Sequence, residues 1–338
     1  MAEIPPPSPK RTRAGWWRLL GPVLLILLLV QWDLRHVVSM LLHADPIWVA
    51  LSTIMILPLM AIKTVRWQGI LFSQSIRYRF WPAYVAYFAS LFVGFLTPGR
   101  LGELTKALYV WRDCKQGSSQ PVSFARSFSG VIADRIFDLG AVMFVSFLAL
   151  ANLVLDFTVW LALSAVGMVF IAALIVLLNP HTFAWLQHIG LRFGTVGRKL
   201  FAEDGWITEI RQGLCQLRGI HLLAAAILTA LAYGLYFWQC YWLSLALRLP
   251  LNYAQVSYVV ALGGMVTLLP VSISGLGTRE ATMVAYLGAW GVPAEAALGF
   301  SLLVFATFYL GGSLIGAAAW LWRPTPGLNL PHIAKRKG

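Results

Sequence analysis

The chain has 338 residues, 59% of them apolar and only 12% charged, with 15 Trp, 19 Phe and a mean hydropathy of +0.73. A soluble domain carries about a quarter charged residues, and apolar runs near the ~20 residues that cross a bilayer recur from end to end. The composition therefore excludes a soluble protein and leaves no polar stretch long enough for a separate extramembrane catalytic domain. The formal charge of +13 reads as membrane topology rather than nucleic-acid binding, because Lys and Arg gather in cytoplasmic loops and face anionic headgroups.

Residues 1–14 form a basic, disordered N-terminus. Lys10, Arg11, Arg13 and Arg18 precede an apolar run as in a signal peptide, but Gln31, Trp32 and Asp33 follow it where a small-residue cleavage site would stand, so it is read as a retained first span. Eight apolar stretches then succeed one another: 15–33, 46–69, 81–97, 126–150, 156–178, 220–247, 253–290 and 295–322. The third ends in Thr97-Pro98-Gly99-Arg100-Leu101-Gly102-Glu103 and resumes as a helical pattern to about Arg112. The seventh breaks at Pro270-Val271-Ser272-Ile273-Ser274-Gly275-Leu276-Gly277. Each is either a crossing or a re-entrant hairpin.

Lys and Arg in the gaps decide between the two. If all eight stretches cross, the two sides carry 13 and 12 basic residues; if the third and seventh are re-entrant, they carry 22 and 3. The expected fold is an all-α polytopic membrane protein with six full spans and two re-entrant helical hairpins in one domain, 15–323. Its halves, 15–150 and 156–323, each read span, span, hairpin, span; three crossings per half make the second inverted relative to the first. Between them, 180–219 mixes apolar and basic residues as one or two interfacial helices. The tail, 324–338, is basic, and both termini are placed in the cytoplasm of a prokaryote.

Broken backbone at membrane depth survives only inside a bundle or beside a water-filled cavity, so the breaks mark a site. The returning half-helices, Glu103 to Arg112 and Thr278 to Trp290, would aim free N–H groups at the bilayer centre from opposite sides, which suits an anion such as a lipid phosphate. The expected substrate-binding residues are Pro98, Gly99, Arg100, Gly102, Glu103 and Lys106 at the first break and Ser274, Gly275, Gly277, Arg279 and Glu280 at the second. Arg100 and Arg279 could clamp phosphate in a bidentate manner beside Glu103 and Glu280, or form ion pairs that only stabilise the breaks. Lys106, one turn beyond Glu103, is a ligand or a surface cation. In the fourth stretch Asp134, Arg135 and Asp138 share a helix and complete the expected substrate-binding set: they handle substrate or protons, or they pair structurally, most simply Arg135 with Asp138 and Asp134 with a hairpin residue.

Cys114, Cys215 and Cys240 have no ligand spacing, and the six His fall in loops or at span ends, so neither a metal nor a cofactor is expected. Hydrolase and nucleotide-binding signatures are missing, which argues against an enzyme. The run Leu96 to Glu103, the run Ala133 to Asp138, and Leu269 through Gly275-Leu276-Gly277-Thr278-Arg279-Glu280 together resemble the lysylphosphatidylglycerol synthase transmembrane-region family over nearly the whole chain. The resemblance implies lipid translocation across a prokaryotic inner membrane, with the matched residues around a central cavity. The chain lacks the aminoacyl-transferase domain of the bifunctional members, which argues against lysyl-lipid synthesis. The leading expectation is a flippase for a lipid with a polar or anionic, phosphate-bearing headgroup. The rivals are an integral enzyme and a non-transporting partner of a lipid-synthesis enzyme. Anionic lipids would lie against the basic face.

Overall fold

The computed structural model describes residues 34–117, 122–152, 157–192, 194–202, 205–267 and 277–325, and they are helical throughout, without strands. The expected first span, the break from Pro270 to Leu276 with Ser274 and Gly275, and the tail beyond 325 lie outside the described residues.

A short helix α1 (Leu34–Leu42) leads into α2 (Pro46–Ile54) and α3 (Ile56–Ser73). Asp45 caps α2 by accepting from Ile47 N at 2.9 Å. The single expected stretch 46–69 is thus two helices. Pro58 has no N–H for the carbonyl of Ile54, and its ring crowds that carbonyl, so the chain is broken at Met55. Helix α4 (Phe80–Leu96) ends in a run of 3-10 turns, Pro98–Thr105, before α5 (Lys106–Gly117). Long helices α6 (Phe124–Asn152) and α7 (Phe157–Leu178) follow. The segment expected at the interface folds as three helices, α8 (Pro180–Leu191), α9 (Gly194–Phe201) and α10 (Trp206–Cys215), rather than one or two. Asn179 caps α8 and Pro180 starts it, turning the chain by 84° out of the α7 direction. Then come α11 (Ile220–Ala246), α12 (Tyr253–Thr267), α13 (Thr278–Gly288) and α14 (Ala294–Val304), a π-helical turn Phe305–Leu310, and α15 (Gly311–Trp322).

Pro46–Ser73, Ile220–Ala246 and Ala294–Trp322 are each long and apolar enough to cross a bilayer. Their outer surfaces leave Leu57, Val65, Leu223, Ile227, Leu314 and Leu321 exposed. A soluble fold would not tolerate so continuous an apolar exterior, whereas lipid requires it. This is a multi-pass membrane protein. Helices approach closely where side chains are small. In α15, a Cβ on Gly316 would strike the carbonyl of Phe88 in α4, and one on Gly312 would stand 2.6 Å from Ile56 Cδ1. Gly312 and Gly316 form a GxxxG pair, the usual device for close contact in lipid, where dispersion rather than hydrophobic exclusion drives packing.

Helix ends gather in two layers. In one, Tyr78 Oη donates to Asp113 Oδ2 at 2.6 Å, Gln74 Nε2 donates to Gly213 O at 3.1 Å, Arg211 Nε donates to Leu177 O at 3.0 Å, and the Phe72 and His221 rings lie 5.8 Å apart. In the other, Asp45 N donates to Ala246 O at 3.0 Å and Asn152 Nδ2 to Tyr258 Oη at 3.3 Å. The start of α4 and the end of α5 meet in the first layer through the Tyr78–Asp113 contact. Helices α12 and α13 also pack against each other, with Gly263 close to Arg279 and Met283. Packing between distant parts of the chain is reciprocal. The last helix of the first half, α6, lies on α12; the last of the second, α15, lies on α4; and α3 crosses α11.

Candidate functional site

The reversal after α4 is built from residues that only this geometry requires. Gly99 (φ 60°) and Arg100 (φ 57°) both adopt the left-handed conformation. Glycine does so freely, whereas an arginine there stores roughly 1 kcal/mol or more of strain, a pattern found where a side chain must be aimed. Thr97 Oγ1 accepts from Gly102 N at 2.7 Å and donates to Val93 O at 3.1 Å, tying the tip together. Gly102 sits so close to α4 that a Cβ would collide with the Val93 carbonyl, and Gly94 leaves room for the stem of Glu103. Within Pro98–Thr105 only Gly99 and Arg100 leave helical geometry, so the returning helix takes in Glu103 as 3-10 turns that pass into α5 at Lys106.

Glu103, only 3% exposed, contacts Arg100 Nε through Oε1 at 2.7 Å and Arg135 through Oε2. Arg135 approaches its expected partner Asp138 only to 4.0 Å, so Glu103 is the closer carboxylate. Asp134 is fully buried. Its Oδ1 accepts from Arg66 Nε at 2.9 Å and Nη2 at 2.7 Å, and its Oδ2 accepts from Tyr87 Oη at 3.0 Å and from Lys106. Asp138 accepts from Arg66 Nη2 at 2.8 Å and Lys63 Nζ at 3.1 Å. Lys106 is no surface cation: it is fully buried, with Nζ 3.9 Å from the centre of the Tyr87 ring. Desolvated charges of this kind persist only when paired and hydrogen-bonded.

The second break differs. Gly277 N, at the start of α13 with φ 83°, donates to Glu280 Oε2 at 2.6 Å, so a protein carboxylate already fills the position expected for a ligand anion. Glu280 Oε1 also pairs with Arg279, whose Nε donates to Ser301 Oγ at 3.3 Å. Arg279 is 1% exposed and lies 5.0 Å over the Phe305 and Tyr309 rings, while Arg100 lies 5.2 Å over the same Tyr309 ring. The arginines of the two breaks therefore converge on one tyrosine, held in the π-helical turn, a departure from regular helix that recurs at functional sites.

A cavity of about 350 Å³ opens between these elements. Lys63, Arg100, Glu103, Arg135 and Asp138 supply its charged wall, with Gly99, Tyr233 and Tyr309 beside them. Tyr233 and Phe237 also line a second cavity of about 530 Å³, walled by apolar residues of α6, α11 and α12. A cavity with a charged wall and an open apolar groove thus share lining residues. Gly102 forms the turn without reaching this charged wall, while Lys106 and Asp134 stand behind it. No group of three potential metal ligands occurs among the described residues.

Lys63, Arg66, Tyr87 and Tyr309 were not singled out in the sequence. Lys63 and Arg66 fall at i and i+3 near the end of an apolar stretch and count there as loop charges; α3 runs on to Ser73 and draws them inside. Two cations one turn apart within an apolar run, facing two aspartates one turn apart in another, were the available signal. Removing Lys63, Arg66, Arg100, Lys106 and Arg279 from the loop count leaves 18 basic residues against 2, so the asymmetry survives.

Fold and site together define a polytopic helical membrane protein with an ion-paired cavity inside the bundle. The profile of the family described as "Lysylphosphatidylglycerol synthase TM region" matches residues 16–316, and the chain belongs to that family. It is similar to the "UPF0104 membrane protein PH1989" of Pyrococcus horikoshii, 26% identical over 304 residues that cover 83% of this chain and 89% of the relative. It is also similar to the "UPF0104 membrane protein MJ1595" of Methanocaldococcus jannaschii, 21% identical over 350 residues that cover 97% and 98% of the two chains. No solved structure matches it.

Proposed function

We propose that the protein is a lipid translocase. It takes the polar or anionic headgroup of a membrane lipid into the charged cavity and passes it between leaflets without chemical change. The observation that carries this reading is that the two cavities share the lining residues Tyr233 and Phe237. A molecule occupying both must have one charged end and one hydrocarbon end, which is the chemistry of a lipid. Arg100, Arg135 and Lys63 hold the headgroup. Asp134, Asp138, Arg66 and Lys106 keep those cations in place, and Arg279 with Glu280 fixes the second break behind Tyr309.

In this reading the segments 80–117 and 253–288 are re-entrant hairpins entering from opposite faces, and the halves form an inverted repeat. The Tyr78–Asp113 contact supports the first hairpin, since both its ends stand in one layer. The reciprocal packing of α6 on α12 and α15 on α4 supports the symmetry. The layer holding Arg77, Arg79, Arg112, Arg126 and Arg323 faces the cytoplasm of a prokaryote, against anionic lipids, and the surface helices α8 to α10 lie on that leaflet. The residues carry no catalytic signature, and the protein acts as a carrier rather than an enzyme, with or without a lipid-synthesis enzyme as a partner.

The test is reconstitution in liposomes with headgroup-labelled lipids, comparing wild type with an Arg100→Ala, Lys63→Ala variant of matched folding. Wild type should exchange label between leaflets faster than empty vesicles, and the variant should approach the empty rate. Equal rates for variant and wild type would remove the cavity from the mechanism.

A further inference from the structure

Among the described residues the buried cluster does not balance its charge. Lys63, Arg66, Arg100, Lys106 and Arg135 face Glu103, Asp134 and Asp138, so five cations meet three carboxylates and the fully ionised cluster carries an excess of two positive charges. Arg279 and Glu280 pair with each other and leave the excess unchanged. Asp134 accepts from three side chains and Asp138 is shared between Arg66 and Lys63, while Glu103 is ion-paired with both Arg100 and Arg135, although its Oε1 makes no hydrogen bond among the described residues. Donors are left over. Arg135 Nε is buried with no acceptor among the described residues. The cations at the cavity wall, Arg100, Arg135 and Lys63, retain 18%, 22% and 11% side-chain exposure, whereas Arg66 and Lys106 have none. The uncompensated charge therefore sits where a ligand can reach it.

An excess of two charges in a low-dielectric interior calls for a counter-ion of matching charge, because a buried unpaired charge is far costlier than a paired one. We infer that the cavity selects a dianionic headgroup, of the phosphomonoester or diphosphate class, over a singly charged phosphodiester. A phosphomonoester offers three terminal oxygens to the guanidinium forks of Arg100 and Arg135 and the ammonium of Lys63, whereas a phosphodiester offers two oxygens and one charge. This deepens the translocase reading and rests on it for the source of the phosphate, since the same chemistry would also accept a free phosphate ion.

The test uses the full chain in neutral detergent micelles, with binding followed by tryptophan fluorescence. The probes are dioleoyl phosphatidic acid, dioleoyl phosphatidylglycerol and inorganic phosphate. The two lipids share their tails and differ in headgroup charge. Phosphatidic acid should bind at least tenfold more tightly than phosphatidylglycerol at pH 7.5. Its affinity should fall about tenfold between pH 7 and pH 5 as the second ionisation, near pH 6, is lost, while that of phosphatidylglycerol stays level. Arg100→Gln should shrink the preference to a few-fold; should that variant fail to fold, the wild-type pH series decides alone. Equal binding of the two lipids, or no pH response beyond the phosphatidylglycerol baseline, overturns the dianion assignment and leaves lipid translocation standing. Failure of both lipids to bind overturns the translocase reading itself. Inorganic phosphate binding as tightly as phosphatidic acid supports the dianion and overturns the lipid source.

Discussion

Asp134→Asn tests the ion-pair network most directly. The substitution keeps the shape of the side chain and removes one charge. Arg66 retains Asp138 Oδ1 at 2.8 Å, but Lys106 has no other carboxylate within ion-pairing distance among the described residues and stays fully buried. Breaking one side of a buried pair costs about 3–5 kcal/mol, mostly because the remaining charge is stranded. At the layer of helix ends, Arg112 and Asp113 approach to 3.3 Å with side chains 30% and 20% exposed; Arg112→Gln should cost no more than about 1 kcal/mol. Adding Lys106→Met to Asp134→Asn removes the stranded cation and should recover about 1–3 kcal/mol, a coupling of the size expected for contacting residues. Reversible unfolding in mixed micelles compares wild type with these three variants and with Lys106→Met alone. The reasoning fails if Asp134→Asn matches Arg112→Gln, or if the two changes at 134 and 106 simply add.

Further expectations concern the tip, the helix contact, the hairpin base and topology. Gly102→Ala forces a methyl against the Val93 carbonyl and should cost about 1–3 kcal/mol; Gly69→Ala, with nothing within 4 Å of the new methyl, should be neutral or mildly stabilising in the same unfolding assay. Arg100→Gly relieves a left-handed arginine and should hold or raise stability while lowering lipid exchange in vesicles. Tyr78 lies in the loop between α3 and α4, where burial, then its hydrogen bond to Asp113, pushes its phenol well above the ordinary value. The protonated phenol is the favoured form, so its contribution is complete below pH ~10 and lost as pH rises further. Unfolding from pH 9 upward should show that loss in wild type and a flatter profile in Tyr78→Phe. Single cysteines at Arg77 and Arg112, in a background without Cys114, Cys215 and Cys240, should label from one side of the membrane and a cysteine at Asn252 from the other. Opposite accessibility of 77 and 112 would end the hairpin reading.

Much of the site was legible because breaks and charges are conspicuous in an apolar chain. The turn at Gly99 and Arg100, the aspartates at 134 and 138, and the Arg-Glu pair at 279 and 280 all stand out for that reason. Lys63 and Arg66 do not, since a cation near the end of a hydrophobic run looks the same whether the helix stops there or continues two turns further. Tyr309 is equally silent: one aromatic among many acquires meaning only when two arginines from distant segments lie over its ring.

Sequence alone determined that this chain lives in a bilayer, that it is helical, and that its backbone turns at Gly99 and Arg100, because desolvation of the peptide group leaves so few alternatives in hydrocarbon. Tertiary structure decided which charges meet. Glu103 rather than Asp138 takes Arg135, Glu280 occupies the N-terminus of its own helix, and α3 brings two cations into the cluster that set its net charge. Such pairings depend on distances of a few ångströms between segments tens of residues apart, and Coulomb energy in a low-dielectric interior is steep at that range. No local pattern encodes it.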